Sequence, residues 1–209
     1  MTIQRAAAFF IALGVFLTLA TRVWLRIVDD GETFGEAVWA IYRFYTIWTN
    51  TLIGFVCVGV AFGRAIAPQR LSNLLLSIII VAVVYHALLA HLNDFTGLDW
   101  VIDAMLHTVI PTAFVVFWLI FVPKDTHRYT DILPWLGLPL VYCLYAMARA
   151  QVDGVYPYFF LNLADLGAIR TGVNIVGLLI AFAVIGALIV LVARRLGRFS
   201  ERTSEQTLS

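Results

Sequence analysis

Apolar runs long enough to cross a hydrocarbon layer about 30 Å thick constrain this chain more than any other feature. Six are legible, near Ala6–Leu25, Ala37–Phe62, Leu71–His91, Trp100–Val122, Ile132–Ala148 and Arg170–Ala193. With 209 residues, 62% of them hydrophobic and 13% charged, the chain suits one all-α, six-helix transmembrane bundle over residues 1–199, followed by a polar tail at 200–209. Pro134 and Pro139 predict a kinked or irregular fifth span. The first run exceeds a signal-peptide core and no clear A-x-A cleavage site follows it, so it reads as an anchor.

Charge sets the expected orientation. Nine Lys and Arg residues (Arg5, Arg64, Arg70, Lys124, Arg128, Arg194, Arg195, Arg198, Arg202) fall at one set of span ends, against Arg26, Arg149 and Arg170 at the other. Lys and Arg collect on the cytoplasmic side, so both termini are expected there. The net charge of +1, without basic runs interleaved with aromatics, argues against nucleic-acid binding. Cys57 and Cys143 fall in spans at different depths, which predicts no disulfide.

Polar residues inside a bilayer are expensive and normally face protein or water. Here they gather in one outer layer. Read as one continuous helix, the second span puts Arg43, Thr46 and Asn50 on a single face. At about 1.5 Å per residue, Thr46 falls roughly 14 Å below the outer end of that span. By the same count His107 falls roughly 11 Å and His86 roughly 8 Å below the outer ends of theirs. Asp103 precedes His107 by one helical turn. Arg22 and Asn174 add to the layer, which predicts a polar cavity opening outward, with Thr49, His86 and Asn174 as further candidates for its lining.

Two chemical readings fit, beside a purely structural one. In the first, Thr46 is a nucleophile, since a hydroxyl needs an adjacent base and imidazole serves near neutral pH. His107 is then the base, Asp103 orients it as in a triad, and Arg43 or Asn50 stabilises the oxyanion. In the second, His86 and His107 ligate a haem. The structural reading has Thr46 bonding its own helix backbone, His107 bridging helices and Arg43 pairing with Asp103. No His/Cys/Asp/Glu cluster has zinc-ligand spacing, so no metal is expected. His91 and His127, at a span end and in a loop, read as solvated. Tyr156-Pro157-Tyr158-Phe159-Phe160-Leu161-Asn162 is too apolar for a free loop and reads as interfacial or as a lid over the cavity. The basic run from Arg194 reads as an anchor that meets anionic lipid.

Three stretches carry a resemblance. Arg43-Phe44-Tyr45-Thr46-Ile47-Trp48-Thr49-Asn50, Leu106-His107-Thr108-Val109-Ile110-Pro111 and Tyr156-Pro157-Tyr158-Phe159-Phe160-Leu161 resemble signatures of the prokaryotic six-transmembrane protein family. That family is similar to the eukaryotic androgen-induced membrane hydrolases, intramembrane threonine hydrolases of fatty-acid esters of hydroxy fatty acids. The resemblance implies Thr46 as nucleophile and His107 as its partner, no cofactor, a lipid-like ester as substrate, and a bacterial plasma-membrane location. Departures are Trp48-Thr49 where Gln-Ser is expected, and Phe159 and Asn162 where Pro and Asp are more usual. The expected function is therefore a lipid-ester hydrolase or acyltransferase. The alternative is a non-catalytic transporter-like or structural bundle with an outer polar cavity.

Overall fold

The computed structural model describes residues 1–92 and 94–208, with side chains described through residue 197 apart from residue 93. Among these residues every regular element is helical: α1 (Ile3–Asp29), α2 (Phe34–Ile41), α3 (Tyr45–Ala61), α4 (Pro68–Val84), α5 (Gly97–Ala104), α6 (Ile110–Phe121), α7 (Ile132–Trp135), α8 (Gly137–Asp153) and α9 (Leu163–Leu208). A wide π turn, Tyr85–Leu89, continues α4, and another, Met105–Val109, joins α5 to α6. Five helical segments are long and apolar enough to cross a membrane, and the bent pair α2–α3 makes a sixth if counted as one span. The side chains of the polar tail at 200–209 lie outside the described residues, as do those of Arg198 and Arg202.

Local chemistry explains where these elements start and turn. Thr2 caps α1 by accepting the Arg5 N–H at 3.3 Å, and Thr33 with Glu36 forms a reciprocal capping box on α2. Pro68 opens α4, where its missing N–H costs nothing. Pro111 has no N–H to donate to the His107 carbonyl, and the π turn at 105–109 gives its ring room. The fifth span breaks between α7 and α8 at Leu136, four residues after Ile132 and between its two prolines.

Two sequence expectations need correction. The second span is not one helix from Ala37 to Phe62: it bends by 102° between α2 and α3. His127 is not solvated but 3% exposed, because the loop after α6 folds under the bundle and hands its imidazole to Ser72 on α4 at 2.6 Å.

The core is a contiguous apolar layer in which Phe114, Phe117 and Trp118 of α6 meet Ile53 of α3, Leu76 and Ile78 of α4 and Phe182 of α9. Gly54 lets α3 lie close on α1, since a Cβ there would sit 3.0 Å from Val15 and Phe16. Outward faces of α1, α6, α8 and α9 stay apolar and exposed, as lipid-facing surfaces do. Cys57 and Cys143 are buried free thiols.

Candidate active site

The break between α2 and α3 decides what Thr46 can do. Tyr42, Arg43 and Phe44 leave helical geometry, Phe44 being extended (φ −96°, ψ 135°). Their carbonyls are satisfied from elsewhere: Tyr42 accepts from Trp48 Nε1 at 2.9 Å and from the Tyr145 hydroxyl at 3.1 Å. Arg43 accepts from the Tyr142 hydroxyl at 2.6 Å. The first N–H of α3, on Tyr45, donates to the Tyr158 hydroxyl at 3.1 Å. Thr46 is therefore the second residue of a helix that begins inside the bundle. Helical hydroxyls usually bond the carbonyl four residues back, as Thr18, Thr21 and Ser77 do here at 2.7, 2.8 and 3.0 Å. For Thr46 that carbonyl belongs to Tyr42, across the bend and already engaged, so its hydroxyl is free to point elsewhere.

It points at His107. Thr46 Oγ1 lies 3.3 Å from His107 Nε2. Nδ1 of the same ring faces the Asp103 carboxylate at 3.0 Å and the Asp103 backbone carbonyl at 3.1 Å. Both of these are acceptors, so in the neutral ring Nδ1 carries the proton and Nε2 presents a lone pair to the threonine hydroxyl. The other Asp103 oxygen accepts from the Tyr85 hydroxyl at 2.5 Å. Tyr85 also lies flat against the imidazole, with ring centroids 3.7 Å apart and 8° between planes. The two π turns thus stand side by side, one supplying Tyr85 and the other His107. Thr46 is 9% exposed, and the His107 and Asp103 side chains are 14% and 17% exposed.

A cavity of about 490 Å³ opens onto these groups. Its deep end holds Thr46, Asp103 and His107, and apolar side chains such as Ile41, Leu89 and Ile102 form its walls. Toward the end of the bundle where α1 finishes, it is lined by Arg22, Arg26 and Asp99, with Arg22 paired to Asp99 and Arg26 to Glu32. Pro157, Tyr158 and Phe159 close another side, so the apolar stretch between α8 and α9 does cover the cavity. A narrow apolar slot of about 40 Å³ lies behind, between α3, α4, α8 and α9, and shares Thr46, Tyr85 and Tyr158 with the main cavity.

The remaining candidates go elsewhere. Arg43, displaced by the bend, has its guanidinium 3.7 Å from Asp153, so it neither shares a face with Thr46 nor pairs with Asp103. Asn50 donates to the Thr46 carbonyl at 2.8 Å and the Leu106 carbonyl at 3.4 Å, tying α3 to the second π turn rather than facing the cavity. Thr49 is fully buried off the cavity. His86 turns its Nε2 to Thr108 at 3.0 Å on an exposed face, so the two imidazoles engage separate threonines. Asn174 donates to the Phe160 carbonyl at 2.8 Å and pins the covering segment to α9. Asn162 caps the start of α9, accepting from the Ala164 and Asp165 N–H groups.

Sequence reading missed Tyr85 and Tyr158. Tyr158 lines the cavity together with Thr46, and its hydroxyl accepts from the N–H of the adjacent Tyr45, which leaves its own proton to donate. Tyr85 had a faint signal, lying beside the histidine that was noticed. The N-terminus of α3 adds the positive end of a 17-residue helix at the same spot. No family model matches this chain, and no curated protein or solved structure matches it.

Proposed function

We propose that the protein is an intramembrane threonine hydrolase acting on an ester of a lipid-like molecule. The observation that carries this reading is a threonine hydroxyl, freed from its own helix by the α2–α3 bend, 3.3 Å from an imidazole backed by Asp103. Thr46 Oγ attacks the ester carbonyl as His107 Nε2 takes its proton. The negative charge that forms on the carbonyl oxygen is met by the Tyr158 hydroxyl and the start of α3. His107 then passes the proton to the departing alcohol, and water, activated by the same imidazole, releases the acid from Thr46. Acyl transfer differs only in the acceptor. The apolar walls of the cavity suit a lipid tail, and its arginines suit a polar or anionic end. The family resemblance implies the same two residues.

With this reading goes a six-span arrangement in the plasma membrane, both termini cytoplasmic, supported by the distribution of Lys and Arg between span ends. Substrate then reaches Thr46 from the outer leaflet. A second reading is a non-catalytic bundle with an outer binding cavity. It is favoured by the fact that the Thr46, His107, Asp103 and Tyr85 network also ties three helices together. Labelling by an alkyl fluorophosphonate in native membranes separates the two. The hydrolase reading expects wild type to label, and Thr46→Ala and His107→Ala to remain folded but unlabelled. Wild type that folds and stays unlabelled, or label that persists in Thr46→Ala, would sink it.

A further inference from the structure

The opposite end of the bundle holds a second, separately built polar cavity. After α6 the chain runs through residues 122–128 before turning into α7, and this loop is tied down at several points. Lys124 Nζ donates to the Trp118 carbonyl at 2.7 Å and lies 4.3 Å from the centre of the Trp118 ring. Trp118 Nε1 donates to Ser72 at 2.7 Å, Ser72 donates to His127 Nε2 at 2.6 Å, and His127 Nδ1 donates to the Lys124 carbonyl at 3.3 Å. Gln69 on α4 holds the Thr126 carbonyl at 3.4 Å, and the Arg128 N–H is held by Asp131 at 2.9 Å. A chain of buried hydrogen bonds therefore fixes a loop whose outer side chains remain exposed.

Between this loop and α9 lies a cavity of about 370 Å³. Among the described residues Lys124, Arg128 and Arg194 line it, with Asp125 as the one acid and Tyr129 on one side. Gly197 of α9 faces the loop, where a Cβ would meet the Asp125 backbone at 3.5 Å, an ordinary contact distance. Among the described residues neither the Arg128 nor the Arg194 guanidinium has a carboxylate partner; the Arg194 guanidinium instead lies 5.6 Å from the centre of the Tyr129 ring. The Lys124 ammonium is spent on the Trp118, Leu119 and Val122 carbonyls and contributes charge alone, but two planar forks at one concavity match the oxygens of a phosphate. The cavity also sits where the apolar spans end. Leu133 on α7 and Leu188 and Leu196 on α9 are 77%, 53% and 41% exposed on the elements that lead from it into the bilayer.

We propose that this cavity binds a phosphate group, namely that of an anionic phospholipid whose acyl chains lie along the exposed leucines of α7 and α9. This inference does not rest on the hydrolase reading. It goes beyond general attraction of a basic end for an acidic membrane, because Arg64 and Arg70 belong to the same set of span ends yet lie outside the cavity.

The experiment is native mass spectrometry of the full chain released from detergent, titrated with phosphatidylglycerol or phosphatidylcholine. Wild type is expected to retain phosphatidylglycerol about tenfold better than phosphatidylcholine. Joint replacement Arg128→Gln with Arg194→Gln should cut that preference to about twofold, while Arg64→Gln with Arg70→Gln leaves it nearly intact. The Arg128→Lys, Arg194→Lys pair keeps both charges and should retain most of the preference, which separates lost binding from lost folding. Equal losses in the two glutamine pairs, or no preference in wild type, would overturn the site. Sodium phosphate at the ionic strength of a sodium chloride control is expected to displace the lipid only in the millimolar range. Displacement by micromolar phosphate would reject the lipid as the ligand's source.

Discussion

Replacing Asp103 tests the proposed hydrolase most sharply, because on that reading it carries only half of the usual carboxylate role. In serine-type triads the carboxylate alone fixes the imidazole tautomer, and changing it to an amide costs about 10⁴ in kcat. Here His107 Nδ1 has a second acceptor that no side-chain substitution removes, the Asp103 backbone carbonyl at 3.1 Å. Asp103→Asn or Asp103→Ala should therefore leave the tautomer in place and remove only the charged hydrogen bond behind the ring. Such a bond is worth about 1.5–3 kcal/mol. At about 1.36 kcal/mol per decade, that is about 10- to 150-fold in rate. The assay is the second-order rate of fluorophosphonate labelling in nanodiscs, read on gels for wild type and both variants, which needs no natural substrate. A loss near 10⁴ in the amide variant, far beyond that of the alanine, would show that the backbone carbonyl does not hold the ring. Unchanged rates in both would reduce Asp103 to packing.

Other outcomes follow from named contacts. Tyr158→Phe keeps the ring and removes the donor beside Thr46, so kcat on any ester substrate should fall about 10²-fold with KM little changed; a change confined to KM would remove the oxyanion role. Asp153→Asn leaves Arg43 and the buried Arg149 without their shared carboxylate, 3.7 and 3.1 Å away. It should destabilise the fold by about 3–5 kcal/mol, read as a lowered thermal midpoint in detergent, whereas a shift too small to measure would mean the guanidiniums find other partners. Tyr142→Phe removes one donor to the bend and should cost about 0.5–1.5 kcal/mol in the same assay. His127 is held neutral by burial, its pKa pushed below the ordinary 6.5. The unfolded chain then binds more protons than the folded one below that value, so stability should decline as pH falls from about 6.5, and His127→Asn should flatten the decline. A pH profile identical to wild type in that variant would assign the decline to other groups.

Some of this was legible in the sequence and some was not, for reasons that differ by residue. The apolar runs announce their helices because their length matches a bilayer, and Asp103 and His107 announce each other by a one-turn spacing on one face. The bend at Tyr42–Phe44 gave no sign, since neither proline nor glycine occurs there. It is stabilised by Tyr142, Tyr145 and Tyr158, about a hundred residues away in sequence, and nothing local specifies them. That is why an unbroken helix would set Arg43 and Asn50 beside Thr46 on one face, while the chain sends one to Asp153 and the other to the Leu106 carbonyl. His127 misled in the opposite sense. A histidine in a polar loop reads as exposed unless one knows that Ser72 and Trp118 wait beneath it.

The π turn at Met105–Val109 has a consequence for register. Such a turn is, in effect, a single extra residue inserted into an α-helix, and deleting Thr108 would return α5 and α6 to one helical register, kinked where the Pro111 ring loses its room. The deletion would keep the span long enough to cross but turn Ile102 and Leu106 away from the core in which they now pack. It would also rotate all that precedes it by about 100° relative to α6 and shift it by about 1.5 Å. Asp103 and His107 would then swing away from Thr46 together, their mutual contact intact. A chain otherwise matching this one but a residue shorter between His107 and Ile110 would lose the pairing, so a single gap in an alignment there carries more functional weight than many substitutions elsewhere.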